Sequence, residues 1–433
     1  MAANETPDVL KLKKMQEKEK ISNKPVIMKV SKTTGNVINS ISNIFLALEH
    51  DTNLANTFKY NEFTQSIDVV KDHNYNKGNT HLKIEKGQFR DEFVSSILMY
   101  LENVYGKSFS KDNFYAALDN AAHNHSYNPL RDYMDEAYKL WLDNGKHEIL
   151  KDLLPIYLGA DNNKTIELQT KLFFVGAVAK VYDPKSKFDY VLDLVGGQGT
   201  GKTTFLTNMA PSVEYYTDQF TDFRDKDSYA VMLRALIVND DEMTATNKSS
   251  FDDLKKFISA RELDFRPPYG RYNIRRPKSF VLARTTNEVT YLKDKTGERR
   301  FLPILVHPDQ QILSPVTDLS RKEVKEFWGE AVGLYKNGFS FILTEKQKKM
   351  IEKNRMQFMY IDQQEEEIEL ALQRLNDHEF ITSKEIADEI GEHDLVKNRK
   401  LAQKIKYVMD NRKDYKFCNK RIDGYTKRGY RKN

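Results

Sequence analysis

The residues with the clearest chemical meaning form a glycine-rich segment, residues 196–203, that reads Gly-Gly-Gln-Gly-Thr-Gly-Lys-Thr. It fits the phosphate-binding pattern G-x-x-x-x-G-K-[ST] at every position. Backbone N–H groups in such a loop turn toward a polyphosphate, and the following helix adds its positive N-terminal end. Lys202 is expected to reach the β- and γ-phosphates, and the Thr203 hydroxyl to bind Mg²⁺. The predicted ATP site consists of Gly196, Gly197, Gln198, Gly199, Thr200, Gly201, Lys202, Thr203 and Thr204.

The elements around this loop have the order that the motif needs. An apolar run at residues 190–195 precedes it and a helix-like segment at 202–209 follows, which makes a chance glycine turn the weaker alternative. Further strand-like runs at 235–239 and 279–283 alternate with helix-like ones. This alternation predicts an α/β domain with a parallel sheet.

Three carboxylates follow the second apolar strand, at Asp240, Asp241 and Glu242. Carboxylates at the C-terminal end of a strand beside a phosphate loop hold Mg²⁺, and an adjacent glutamate orients the attacking water. We assign Mg²⁺ to Asp241, with Asp240 as the rival, and the water to Glu242. An ordinary acidic turn is the alternative.

Polar residues after the third strand complete a hydrolysis site. Asn287 is predicted to lie between the γ-phosphate and the lytic water, although an asparagine that merely turns the chain is equally compatible. The adjacent Arg299 and Arg300 suit an arginine finger supplied by a neighbouring subunit, with surface arginines as the alternative.

A basic segment with interleaved tyrosines lies between the second and third strands. Its composition predicts a hairpin or tight loop that contacts a nucleic-acid backbone and its bases. A solvated loop or an acidic subunit interface is the alternative. The predicted DNA contacts are Arg266, Arg271, Arg275, Arg276 and Lys278.

The C-terminal end is strongly basic. Residues 396–433 carry 14 Lys and Arg against three Asp, so this end is +11 in a chain whose net charge is +5. A capped helix from Thr382 or Ser383, a helix at 398–412 and two strands at 415–422 and 425–431 predict a winged helix-turn-helix. A basic tail packed on its own ATPase is the alternative. The predicted DNA contacts are Lys400, Lys404, Lys420, Arg421, Lys427 and Arg428.

Five segments are predicted along the chain. They are a flexible charged lead (1–24), a mainly helical N-terminal domain (25–150) with one short strand near 63–69, the ATPase domain (151–343), a helical connector (344–379) and the winged helix (380–433). No apolar run of about 18 residues exists, so no membrane span is expected. The single cysteine, Cys418, excludes an internal disulfide and is typical of a reducing cytosol.

Residues from about 170 to 310 resemble the virulence-associated protein E family of phage and mobile-element ATPases, which is related to superfamily 3 helicases of the AAA+ class. The resemblance is carried by residues 187–192, 196–203, 240–242, 254–259, 264–271, 285–287 and 292–301. It implies that segment 264–278 is a pore hairpin and that Arg299 and Arg300 form the trans-acting finger. Asn239 departs from the glutamate that the family tends to carry.

Together these features predict a P-loop NTPase core that resembles superfamily 3 helicases, with a helical N-terminal domain and a C-terminal winged helix. The expected function is an ATP-dependent DNA helicase or replication-initiator ATPase of a phage or mobile element, acting in the cytoplasm of a bacterial host. It is expected to form a ring, hexameric by preference, to thread single-stranded DNA through its pore, and to work with a replication loader or primase. The alternatives are an ATP-regulated DNA-binding switch that does not unwind DNA, and a small-molecule kinase.

Overall fold

A computed structural model describes residues 26–77, 80–266, 272–292, 298–360, 363–410, 412, 414–422 and 424–433. The chain divides into two compact units. The first contains the described residues up to Asn287 and Ile304–Thr344, and the second contains Glu288–Pro303 and Glu345–Asn433. The predicted charged lead at 1–24 lies outside the described residues, as does Arg271.

The N-terminal part of the first unit combines helices with short antiparallel strands. The helices are α1 (Ile41–His50), α2 (Glu92–Tyr105), α3 (Lys111–Asn124) and α4 (Pro129–Asp143). The strands are β1 (Phe58–Asn61), β2 (Ser66–Val69), β3 (His73–Lys77), β4 (Thr80–Ile84) and β5 (Gly87–Gln88). The five strands exceed the single short strand predicted near 63–69, so the prediction underestimated the strand content of this region. Apolar side chains of these elements form one buried cluster, which includes Ile97, Leu101 and Phe114.

The rest of the first unit is built around a five-stranded sheet. Its strands are β6 (Val191–Val195), β7 (Tyr216–Thr217), β8 (Ile237–Asp240), β11 (Val281–Thr286) and β12 (Phe301–Leu305), in the order β12-β6-β11-β8-β7. Of β12, only Ile304 and Leu305 belong to this unit. β11 pairs in parallel with β6 and with β8, and β7 pairs in parallel with β8. The mixed α/β class predicted from the alternating pattern is confirmed.

Helices surround this sheet. They are α5 (Leu150–Leu158), α6 (Lys164–Tyr182), α7 (Lys202–Met209), α8 (Lys226–Met232), α9 (Thr244–Lys248), α10 (Phe251–Ser259) and α11 (Arg321–Lys336). Every residue of β6 is buried, which fits a central parallel strand that is covered on both faces. A second buried cluster joins the sheet to α6 and α11, with Phe174 and Trp328 in edge-to-face contact at 5.3 Å.

Two further strands, β9 (Glu262–Phe265) and β10 (Ile274–Pro277), form an antiparallel pair outside the main sheet. Phe265 faces Ile274 and Arg275 faces Asp264 in this pair. The predicted hairpin is therefore present, although its tip, residues 267–271, lies outside the described part of the chain.

The second unit ends in a helical and antiparallel module. Its elements are α12 (Glu345–Met356), α13 (Gln363–Arg374), β13 (Phe380–Ile381), α14 (Ser383–Ile390), α15 (Arg399–Asp410), β14 (Tyr415–Ile422) and β15 (Tyr425–Lys432). Thr382 and Glu385 form a reciprocal capping box at the start of α14, as predicted. The predicted strand pair is also confirmed, with Lys420 opposite Lys427. Helix α13 contributes Ile368 and Leu372 to the core of this module.

Within the described residues, no helix is long and apolar enough to cross a membrane.

Candidate functional site

The glycine-rich loop lies between the buried end of β6 and the first turn of α7. The Gly196 N–H donates to the Thr286 carbonyl at 3.1 Å, which joins the loop to the end of β11. A Cβ at Gly196 would lie 2.4 Å from the Val306 carbonyl oxygen, so only glycine fits here. Gly201 begins α7 with a left-handed φ of 76°, which glycine adopts without strain. The local packing therefore requires glycines at these two positions of the motif.

Three consecutive residues of the loop, Gly197, Gln198 and Gly199, are exposed, whereas Thr200 is buried. The Thr200 hydroxyl donates to the Gly197 carbonyl, and the Thr200 backbone carbonyl accepts from Gln311 Nε2 at 2.8 Å. Thr204 is half-buried in the first turn of α7. The loop is thus closed by internal hydrogen bonds while its rim stays open to a ligand.

Lys202 is the buried cation of the loop. Its Nζ donates to the carbonyls of Gly196 and Gly197 at 2.7 and 2.8 Å and to Asn287 Oδ1 at 3.0 Å. Burial lowers the pKa of Lys202, and the nearby Asp241 and Glu242 oppose that shift. The structure therefore brings together the predicted phosphate-binding lysine and the predicted sensor, Asn287, which are 85 residues apart in the chain.

Asp241 lies at the centre of a second cluster beside the loop. Its Oδ1 accepts from the hydroxyls of Thr203 and Thr285, each at 2.7 Å, and from Asn239 Nδ2 at 3.3 Å. Thr203 and Asp241 were both predicted to bind the metal, and they are in direct contact. Thr285 was not predicted as a functional residue, because nothing in its local sequence shows that β11 runs beside β8.

Glu242 and Met243 have φ values of 52° and 51°, in the left-handed region that non-glycine residues rarely occupy. The Glu242 N–H donates to Thr285 Oγ1 at 3.0 Å, while the Glu242 side chain is exposed. Backbone strain of this kind is found where neighbouring structure fixes a residue for a functional purpose. The Thr285 hydroxyl is the group that holds both Asp241 and the strained peptide of Glu242.

The other carboxylate, Asp240, points elsewhere. It accepts from the backbone N–H groups of Ala245 and Thr246 at 2.8 and 2.9 Å and from the Thr246 hydroxyl at 2.6 Å. Burial raises the pKa of Asp240, and these hydrogen bonds oppose the shift. Asp240 therefore caps the start of α9, and the contact with Thr203 belongs to Asp241.

A buried ion pair that the sequence analysis missed lies within the sheet. Arg284 of β11 donates to both carboxylate oxygens of Asp193 of β6, at 2.7 and 2.6 Å. The two side chains are 1% and 0% exposed. Arg284 also donates to the Thr246 hydroxyl at 3.4 Å, and that hydroxyl in turn donates to Asp240. The pair thus supports the segment that carries the carboxylates.

The donor set beside the loop fits a hard divalent cation such as Mg²⁺. Two hydroxyls and a carboxylate converge at Thr203, Asp241 and Thr285, and oxygen ligands are those that Mg²⁺ prefers. Asn239 is fully buried, and its Oδ1 has no hydrogen-bond partner in the part of the chain that the structure describes, although its amide nitrogen donates to Asp241. An orphaned buried oxygen beside this carboxylate is consistent with a cation or its water shell.

The β9–β10 hairpin presents only part of its predicted basic surface. Arg266, Arg275 and Tyr272 are exposed, and Arg275 pairs with Asp264 at 3.1 Å. Arg271 lies outside the described residues. The DNA contacts of Arg266 and Arg275 stay predictions.

Arg276 and Lys278 are buried, which corrects their assignment as DNA contacts. The Arg276 guanidinium donates to the carbonyls of Phe63 and Thr64 at 2.9 and 3.3 Å. Lys278 Nζ donates to the carbonyls of Phe257 and Ile258 at the end of α10. Burial lowers the pKa of Arg276 to about 10 and that of Lys278 to about 7. Both side chains fix the base of the hairpin.

The predicted finger residues lie in the second unit, in a short 3₁₀ turn (Glu298–Arg300) that leads into β12. Arg299 is exposed, and Arg300 is half-buried.

Most of the predicted cations of the C-terminal module are exposed. These are Lys400, Lys420, Arg421, Lys427 and Arg428. Lys420 and Lys427 face each other across β14 and β15, an arrangement of like charges that is unfavourable unless an anion lies between or beside them. Lys404 differs, because its Nζ pairs with Glu365 at 2.7 Å and the side chain is 24% exposed. This pairing directs Lys404 toward Glu365 of α13, and its contact with DNA stays a prediction.

The chain is similar to solved structures and to one family model. The apo A form of the C-terminal region of NrS-1 aligns with a TM-score of 0.46 and 14% identity, over 92% of this chain and 100% of that one. Another apo structure of the same region gives 0.40 and 14% over 87% and 96%. No curated protein sequence matches the chain. The sequence model of the virulence-associated protein E-like domain matches residues 140–360, just over half of the chain. The chain therefore belongs to the virulence-associated protein E-like family.

Proposed function

We propose that this protein is an ATP-dependent DNA helicase or replication-initiator ATPase of a phage or mobile genetic element. The observation that carries the proposal is the convergence of Lys202, Asn287, Thr203 and Asp241 at the ends of three neighbouring strands. These residues come from distant parts of the sequence, and their roles in ATP hydrolysis are complementary. Family membership supports the phage or mobile-element setting.

Hydrolysis would divide among these side chains as follows. The loop N–H groups and Lys202 bind the phosphates, and a γ-phosphate competes with Asn287 for the lysine. Thr203 and Asp241 would hold Mg²⁺, which neutralises phosphate charge when bound. Glu242 orients and polarises the attacking water, and its strained backbone fixes the position from which the Glu242 side chain extends. Asn287 is well placed to sense the γ-phosphate because it already contacts Lys202.

Removal of the Lys202 ammonium tests the nucleotide site. Lys202→Ala should lose ATP binding or hydrolysis, because no other described lysine contacts the loop carbonyls of Gly196 and Gly197. Lys164→Ala is a matched control, since Lys164 is exposed and its ion-pair partner among the described residues is Glu167. Wild-type ATPase activity in Lys202→Ala would contradict the proposed site.

The exposed Arg299 supports a finger that acts on the site of a neighbouring subunit in a ring, hexameric by preference. Arg299→Ala should abolish ATP hydrolysis and leave ATP affinity unchanged. Mixing Arg299→Ala with Lys202→Ala provides a sharper test, because mixed rings place an intact finger beside an intact loop. If ATPase activity recovers when the two variants are mixed, the finger acts in trans. If activity does not recover and Arg299→Ala has also lost ATP binding, Arg299 is not a finger.

DNA contacts are proposed for two surfaces. The hairpin carries Arg266, Arg275 and Tyr272, whose side chain is 80% exposed, and cations with an aromatic suit single-stranded DNA. The C-terminal module is proposed as a winged helix, with α15 against a duplex and the β14–β15 hairpin as the wing. The second surface is favoured by seven cations and no carboxylate in the two strands of that hairpin.

The alternative function is an ATP-regulated switch that assembles on DNA without unwinding it. DNA-stimulated ATPase activity is expected of both, so strand displacement on a forked duplex separates them. A helicase displaces the strand with ATP and fails to do so in the Lys202→Ala variant. A switch binds the fork, hydrolyses ATP and leaves the duplex intact.

A further inference from the structure

A second surface beside the phosphate loop is formed by residues 311–316, called here the flanking loop. It follows β12 and is held by hydrogen bonds at both ends. Gln311 Nε2 donates to the Thr200 carbonyl at 2.8 Å, and Asn208 Nδ2 of α7 donates to the Pro315 carbonyl at 2.8 Å. The N–H groups of residues 312 and 313 both donate to the Ile156 carbonyl, at 2.9 and 3.1 Å. The flanking loop is therefore fixed to the phosphate loop, to α7 and to α5.

Although its backbone is fixed, the flanking loop exposes large apolar side chains. Ile312 is 74% exposed, Val316 is 61% exposed and Leu313 is 37% exposed. Single apolar residues on a surface need no explanation, but here three large apolar side chains are exposed within five residues of one fixed loop. A rigid apolar surface beside a polar anion site is the arrangement expected where a ligand has one apolar part and one charged part.

The flanking loop lies on a defined side of the phosphate loop. A Cβ placed on Gly201 would lie 2.7 Å from Pro315 and 3.9 Å from Val316. Gly201, Thr204 and Asn208 follow helical spacing, so they share one face of α7. Because the flanking loop touches both ends of that face, Thr204 lies on the same side.

The order of the strands separates this side from the hydrolysis residues. Asp241 and Asn287 follow β8 and β11, which lie on one side of β6, whereas the flanking loop follows β12 on the other side. A nucleotide whose γ-phosphate points to Asp241 and Asn287 therefore directs its nucleoside the opposite way. That direction leads past the N-terminus of α7 to the flanking loop.

We infer that the flanking loop binds the base of the nucleotide, with Ile312 and Val316 packed against the flat face of the heterocycle. The inference rests on the proposed nucleotide site and deepens it. The base is the favoured occupant because it is covalently tied to the phosphates that this loop would hold. Apolar side chains bind a base by burial and dispersion, so these two residues contribute affinity without contacting a phosphate.

The test compares two probes, ATP and inorganic tripolyphosphate, each with Mg²⁺, by calorimetry on the full chain. The Ile312→Ser, Val316→Ser double variant should weaken ATP binding by about tenfold, as expected for the loss of apolar contact area, and leave tripolyphosphate binding unchanged. Ile342→Ser is the matched control, since Ile342 is 86% exposed in the same unit and is remote in sequence from the flanking loop. This control should bind both probes like the wild type.

Two results would overturn the inference. Equal weakening of both probes would show that the substitutions disturb the phosphate loop itself. Unchanged ATP affinity together with loss of oligomers in size-exclusion chromatography would show that a second copy of the chain covers Ile312 and Val316. Failure of the proposed function is distinguishable, because the wild type would then bind neither probe.

Discussion

The Thr285 hydroxyl offers the most specific test of the site. It donates to Asp241 Oδ1 at 2.7 Å and accepts from the Glu242 N–H at 3.0 Å. Thr285→Val keeps the shape of the side chain and removes both hydrogen bonds. The bond to the carboxylate is worth about 1.5–3 kcal/mol and the bond to the peptide about 0.5–1.5 kcal/mol. Their loss leaves the Asp241 carboxylate with its hydrogen bonds from Thr203 and Asn239 only among the described residues, and it releases the strained backbone at Glu242, where φ is 52°.

If about 2–3 kcal/mol of this appears in the activation barrier, kcat for ATP hydrolysis falls about 30- to 150-fold. ATP affinity should change little, since Lys202 and the loop N–H groups are untouched. Thr285→Ser should restore most of the activity because it retains the hydroxyl. A steady-state ATPase assay with a separate binding titration measures both quantities.

Thr170→Val is the matched control for that experiment. Thr170 is also fully buried, and its hydroxyl donates to the Ile166 carbonyl at 2.8 Å within α6. It should lower stability slightly and leave kcat unchanged. The reasoning is refuted if Thr285→Val hydrolyses ATP within about threefold of the wild type, or if Thr170→Val loses as much activity.

Three further predictions follow from buried or paired charges. Arg284→Met removes the guanidinium that pairs with the buried Asp193 and should lower the free energy of unfolding by about 3–5 kcal/mol in urea, with recovery when Asp193→Leu is added. A double variant as unstable as the single one contradicts this. The Lys278 pKa is about 7 in the folded chain and about 10.4 when unfolded, so the unfolded chain binds more protons between these values and stability rises with pH there. In the wild type the free energy of unfolding should rise by about 1.4 kcal/mol per pH unit, measured by urea titrations at pH 7 and 9, and Lys278→Met should lack this rise. The same dependence of the free energy of unfolding on pH in both proteins would refute the prediction. Replacing Lys420 and Lys427 by alanine should lower the slope of log affinity for duplex DNA against log salt by about two, and an unchanged slope removes this hairpin from the interface.

Elements with strong local signals were predictable from the sequence. The parallel strands β6, β8 and β11 are continuous apolar runs, as buried strands of an α/β sheet must be. The β14–β15 pair was predicted within one residue, because alternating cations and aromatics flank an Asp-Gly turn signal. Strand β3 was missed, because its sequence, His-Asn-Tyr-Asn-Lys, contains almost no apolar alternation.

Side-chain partners across the fold were not predictable in the same way. Lys202 and Thr203 were found through a motif, whereas Thr285 acts through a contact between residues that are 44 positions apart. Arg276 and Lys278 were misread because a charge pattern does not reveal burial. Their partners are backbone carbonyls, which have no signature in the sequence.

The contact between Arg276 and the carbonyls of Phe63 and Thr64 joins the base of the hairpin to a turn that precedes it by more than 200 residues. Because of these hydrogen bonds, strand β10 cannot rotate about the base of the hairpin without breaking its contact with this turn. If the hairpin moves along DNA, the turn at Phe63 and Thr64 should therefore move together with it. A spectroscopic label near Thr64 should then report the same displacement as a label on the hairpin.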